Sequence, residues 1–113
     1  MITPGKYSVW FKTPVGEGSG VVTLHENGDL RGGDSTFSYF GHWTQGTDKF
    51  RALWTARRTA AGPPGVFGMD EIDMVATGQS DGTTITATGF AKQAPGLRLE
   101  MSLIAIEDEA PHE

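Results

Sequence analysis

The chain has 113 residues, no cysteine and a formal net charge of −5. That length suits one domain burying about two-thirds of the surface its unfolded chain exposes, and the missing cysteines exclude disulfides, thiolate zinc sites and a cysteine nucleophile. Glu107, Asp108, Glu109 and Glu113 account for −4 of the −5, which leaves −1 for residues 1–106, too little basic charge for a nucleic-acid face.

Sixteen glycines punctuate short runs of β-forming residues. In chain order, KYSVWFKT (6–13) sets Tyr7, Val9 and Phe11 against Ser8, Trp10 and Lys12. After a turn at Pro14–Gly18 comes GSGVVTLHE (18–26), then the short run DLRGG (29–33). TFSYFGHWTQ (36–45) puts Phe37, Tyr39, Gly41 and Trp43 on one side. DKFRALWTARR (48–58) alternates Phe50, Ala52, Trp54 and Ala56 with Arg51, Leu53, Thr55 and Arg57. The segment 59–70 holds Gly62, Pro63, Pro64 and Gly65, which forbid a long helix; it reads as a loop with room for one helical turn. EIDMVATG (71–78) aligns Ile72, Met74 and Ala76; TTITATGFAKQ (83–93) is β-branched and ends before a turn at Pro95-Gly96. LRLEMSLIAIE (97–107) alternates Leu97, Leu99, Met101 and Leu103 with Arg98, Glu100 and Ser102.

Eight strands with period-two patterning and no sustained helical period predict an all-β domain over residues 1–106. Short connections imply antiparallel pairing. Closure into an eight-stranded up-and-down barrel hides every edge, and glycines within strands (Gly18, Gly20, Gly41, Gly89) suit its bends. A two-sheet sandwich shows the same alternation and stays open at this point. Residues 107–113 read as an acidic, frayed tail. No charged-then-apolar leader begins the chain, and no run has the length of a membrane helix, so the expectation is a cytoplasmic protein with no membrane partner.

The stretch LHENGDLRGGD (24–34) packs three glycines among three acids. The acids lack calcium-loop spacing, and no lysine follows the glycines as a phosphate loop requires. Asn27-Gly28 instead predicts a type I′ hairpin turn. Gly32-Gly33 permits a bend, and the Asp34 side chain is suited to accept bonds from the backbone just downstream.

On these residues a resemblance rests. Residues 5–43 resemble the start of the GrlR family of small bacterial regulators linked to type III secretion. The matching features are Gly5-x-Tyr7-Ser8, Gly18-x-Gly20, Asn27-Gly28, Gly32-Gly33-Asp34 and Tyr39-x-Gly41. The resemblance implies a lipocalin-like barrel that dimerises, with a non-enzymatic role of binding and inhibiting a transcriptional activator. One feature departs. Where the family's best-known member carries Glu-Asp-Glu-Asp between its fourth and fifth strands, this chain reads Gln45-Gly46-Thr47-Asp48-Lys49.

Nothing else reads as chemistry. Gly78-Gln79-Ser80-Asp81-Gly82 matches a serine-hydrolase elbow, but a β-branched strand follows where that turn needs a helix, and Asp81-Gly82 reads as a hairpin. Gly16–Gly20 lacks the spacing and the helix of a dinucleotide loop. His25, His42 and His112 lie on separate segments, with His25 and His42 expected to face solvent. Asp70, Glu71 and Asp73 read as a solvated turn within reach of Arg57 and Arg58. No catalytic residues, metal site or cofactor are expected.

Two residue sets carry the functional expectations. Tyr7, Phe11, Phe37, Tyr39, Trp43, Phe50, Trp54 and Met74 should face the barrel interior, as a packed core or as the lining for a small apolar ligand. Trp10, Val21, Phe40, Leu53, Phe90, Ile104 and Ile106 should face outward, where apolar residues suggest an interface. The leading expectation is a homodimer that also binds another, unidentified protein; the alternative is an apolar-ligand carrier.

Overall fold

The computed structural model describes residues 2–47, 49–62, 69–81 and 83–106. They form eight strands and no helix: β1 (Gly5–Thr13), β2 (Gly16–Leu24), β3 (Asp29–Gly33), β4 (Phe37–Gly46), β5 (Lys49–Arg58), β6 (Glu71–Ser80), β7 (Thr84–Ala91) and β8 (Ala94–Ala105). Each strand pairs antiparallel with its neighbours in sequence, and β8 closes onto β1 through Tyr7↔Ala105 to Lys12↔Glu100. The architecture is a closed up-and-down barrel, which settles the choice between barrel and sandwich. The tail at 107–113 and the middle of the β5–β6 connection (63–68) lie outside the described residues; 59–62 and 69–70 contain no helical turn.

Side-chain alternation fixes what is inside. Tyr7, Phe11, Phe37, Tyr39, Trp43, Phe50, Trp54 and Met74 are all buried, with Val9, Val22, Leu24, Leu30, Ile85, Leu99, Met101 and Leu103 beside them. Among the described residues, one member of the hydrophobic core comes from outside the strands. Ile2 is buried at an end of the barrel, where Gln45 grips its backbone: the Ile2 N–H donates to Gln45 Oε1 at 2.8 Å, and Gln45 Nε2 donates to the Ile2 carbonyl at 3.1 Å.

Two interior glycines show why the wall can turn. A Cβ on Gly89 would sit 1.8 Å from the Val75 carbonyl oxygen, and one on Gly41 would sit 2.1 Å from that of Leu53. Neighbouring backbone occupies the space a side chain would need, as at a sharply bent wall.

Three turns differ from expectation. The β2–β3 hairpin is present, but it is not a two-residue turn centred on Asn27-Gly28. The Gly28 N–H donates to the His25 carbonyl at 3.0 Å, which centres the turn on Glu26-Asn27 and leaves Gly28 (φ +97°) as the left-handed residue after it. This is the three-residue form of hairpin. At β1–β2 only Pro14 and Val15 lie outside the strands, and Gly16 already pairs with Thr13. At β7–β8 the turn falls at Lys92-Gln93, with Ala91 paired to Ala94, so Pro95-Gly96 belongs to the start of β8. The register is irregular there, between Gly89 and Ala91. A bulge leaves groups unpaired, so the missing proline N–H is tolerated.

Candidate functional site

Inside the barrel, the expected lining residues come together. The Phe11 ring meets Tyr39 edge-on at 5.6 Å between centroids and stacks near Trp54 at 6.2 Å, distances at which aromatic pairs attract. The Trp43 indole N–H donates to the His25 carbonyl at 2.9 Å. Among the described residues no buried side-chain nitrogen or oxygen lacks a hydrogen-bond partner.

The Gly-Gly-Asp triplet acquires a structural meaning. Gly32 ends up against the β2 backbone, where a Cβ would lie 2.1 Å from the Val21 oxygen. Asp34 then organises the turn into β4. Its Oδ1 accepts the N–H groups of Thr36 and Phe37, both at 2.8 Å. Its Oδ2 accepts the Tyr39 hydroxyl at 2.5 Å. Burial holds the Tyr39 hydroxyl far above its ordinary ionisation range, and the Asp34 hydrogen bond and charge add to this. The triplet therefore joins β2, β3 and β4 at one end of the barrel.

On the outside, the apolar residues fall into two groups that sequence parity could not separate. Leu53 pairs with Val75, and Val75 pairs with Phe90, so these three form one continuous row across β5, β6 and β7. Leu53 and Phe90 are 40% and 41% exposed. Val75, absent from the expected set, joins them through register alone. The second group surrounds Ser8: Val21 and Ile104 pair with Ser8 from either side, and Trp10 lies two residues along β1. Ile106 follows, its N–H donating to the Lys6 carbonyl at 2.9 Å. Phe40 points outward but is half-buried, with the Arg57 guanidinium 5.4 Å over its ring.

The acidic cluster does structural work. Arg57 pairs with Glu71 at 3.0 Å and Arg58 with Asp70 at 2.7 Å. Asp73 turns elsewhere: it accepts from Thr55 Oγ1 at 2.6 Å and from Gln93 Nε2 at 3.1 Å. The Thr55 hydrogen bond leads in lowering its pKa, followed by that of Gln93. Thr55→Val is expected to raise the Asp73 pKa toward the ordinary carboxylate value. Because the folded-state value is depressed, any stability it contributes is present above the unfolded carboxylate pKa and is lost as pH falls through the folded one. Side-chain carboxyl NMR titration checks this; an unmoved Asp73 titration would contradict it.

Among the described residues no three His, Asp or Glu side chains are grouped to hold a metal. His25 and His42 are exposed on different elements, and His42 Nδ1 lies 3.7 Å from Asp29. The strand β7 follows the Gly78–Gly82 segment, and Asp81 Oδ1 accepts the N–H groups of Thr83 and Thr84, as a turn would require. Among the described residues no helix is long and apolar enough to cross a membrane. No protein-family model matches the sequence, and no curated protein matches it.

Proposed function

We propose that this chain is a non-enzymatic regulatory protein that works by protein–protein binding through its outer wall, and that one partner is a second copy of itself. The observation that carries the reading is the continuous apolar row Leu53–Val75–Phe90. Every strand is paired on both sides over part of its length, so an exposed apolar face is the surface most suited to association. A compact apolar row meets its own copy about a two-fold axis at least structural cost. The separate group of Val21, Ile104 and Ile106 then leaves a second face for another protein. The resemblance over residues 5–43 supports a transcriptional activator as that target. The β4–β5 turn lacks an acidic run, so apolar contact carries the recognition here.

The wall's charges support an aqueous surroundings for this work. Lys12, Arg51, Arg98 and Glu100 face outward on the strands, and a lipid-facing lysine or arginine at a bilayer midplane costs about 2–4 kcal/mol. The aromatic contacts of Phe11 with Tyr39 and Trp54 favour the interior as a packed core over a ligand chamber.

Sedimentation equilibrium tests the proposal. The wild-type chain should approach twice its monomer mass at about 100 µM. A Leu53→Lys, Phe90→Glu double variant should remain monomeric with an unchanged far-UV circular dichroism spectrum. A monomeric wild type at that concentration would sink the reading.

A further inference from the structure

A groove of about 550 Å³ lies on the outer wall beside the Leu53–Val75–Phe90 row, with Thr77 and Thr88 each two residues along the strand from Val75 and Phe90. Its lining takes in two neighbouring lines of paired residues, one made by Thr77, Thr88 and Glu100 and the other running through Gln79. Lys49 pairs with Gln79, Gln79 with Thr86, Thr86 with Ser102, and Ser102 with Trp10. The groove's middle is lined by the short outward side chains of Thr86 and Ser102.

We propose that this groove binds a neutral oligosaccharide. The chemistry of the lining selects that class. Hydroxyls on Thr86 and Ser102 each donate and accept, and so does the Gln79 amide, which matches the mixed donor–acceptor edge of a sugar chain. Arg98 and Glu100 lie 3.8 Å apart at the groove and add a donor and an acceptor. Trp10 stands at one end with 39% of its surface exposed. Its electron-rich face attracts the polarised C–H groups on the flat side of a pyranose ring.

Other ligand classes fit less well. Lys49 and Arg98 against Glu100 leave a single net positive charge, spread along the groove, which is weak for a phosphate ester. Apart from Trp10 the outward-facing lining is polar, so an apolar ligand would strand hydroxyls and amides against hydrocarbon. An open groove of this volume suits more than one linked sugar unit.

Tryptophan emission gives a direct readout. Trp10 is exposed, whereas Trp43 and Trp54 are only 5% and 4% exposed in the core, so a ligand in the groove perturbs mainly Trp10. Cellotetraose, maltotetraose and N-acetylchitotetraose are titrated to about 10 mM, a range that captures dissociation constants near 1 mM. At least one should shift the emission saturably. Trp10→Ala should weaken that saccharide at least tenfold by isothermal titration calorimetry, Trp10→Phe should retain part of the affinity, and Thr86→Val should weaken it a few-fold. All are surface changes, and circular dichroism confirms the fold. Silence with all three saccharides, or undiminished binding by Trp10→Ala, would overturn the proposal.

Discussion

Gly89→Ala is expected to lower the unfolding free energy by about 3 kcal/mol or more, at the upper end for overpacking. The added Cβ would fall 1.8 Å from the Val75 carbonyl oxygen and 2.7 Å from the Ala76 Cα. Both are backbone atoms of β6, so no side-chain rotation relieves the clash. Either β6 or β7 must move, and Gly89 pairs with Ala76 on one side and Leu99 on the other. The closed ring has no free strand to absorb the shift. Gly46→Ala makes the control: its Cβ would meet only the Lys49 Cβ, at an ordinary 3.9 Å, and its cost should stay within about 1 kcal/mol. Urea denaturation midpoints of the two variants decide the matter. Equal, small losses would show that the barrel wall at Gly89 is not as tight as its geometry requires.

Asp34→Ala is expected to cost about 2–4 kcal/mol. One carboxylate accepts two backbone N–H groups and the Tyr39 hydroxyl. Its loss leaves that buried hydroxyl without its acceptor, and an unpaired buried polar group costs about 1–3 kcal/mol on top of the lost turn bonds. Tyr39→Phe should cost less, about 1 kcal/mol, because Asp34 is exposed and water replaces the hydroxyl. The pair should be non-additive in a double-mutant cycle, since both single changes break the same bond. A pH dependence follows with a definite sign. The Tyr39 pKa is raised from 10.0 in the folded state, so its contribution is whole below pH 10 and declines as pH rises above it. The alkaline decline in urea stability should be shallower in Tyr39→Phe. Additive single-mutant losses would contradict the shared bond.

Much of this architecture is written in the alternation of residues along each strand. Tyr7, Phe11, Tyr39, Trp43, Phe50 and Trp54 keep one parity, and all are buried. Parity says only whether a side chain points in or out. It does not say where around the ring a residue lies, and so Trp10 and Leu53 look alike in sequence yet belong to different faces. Register, which long-range pairing sets, links Val75 to Leu53 and Phe90. Parity also gives no sign that Arg57 lies over Phe40.

Local turn chemistry was a partial guide. Asn27-Gly28 marks the right hairpin, but the strands meet one residue earlier than a type I′ turn would place them. Pro95-Gly96 carries the look of a turn, while Lys92-Gln93 performs it, because the bulged start of β8 accommodates a proline. Ile2 had no periodic neighbour to announce its burial. Its position depends on Gln45, forty-three residues away.

The outer row is the feature on which the regulatory reading depends, and its solvent exposure in solution tests that reading most directly. A soluble paramagnetic agent added to concentrated wild-type protein broadens the NMR signals of exposed groups. The methyl groups of Leu53 and Val75 and the ring of Phe90 should be shielded, and should become broadened on dilution. Val15, 63% exposed in the β1–β2 turn, should be broadened at both concentrations. Equal broadening of Leu53, Phe90 and Val15 at every concentration would mean that no second copy covers the row.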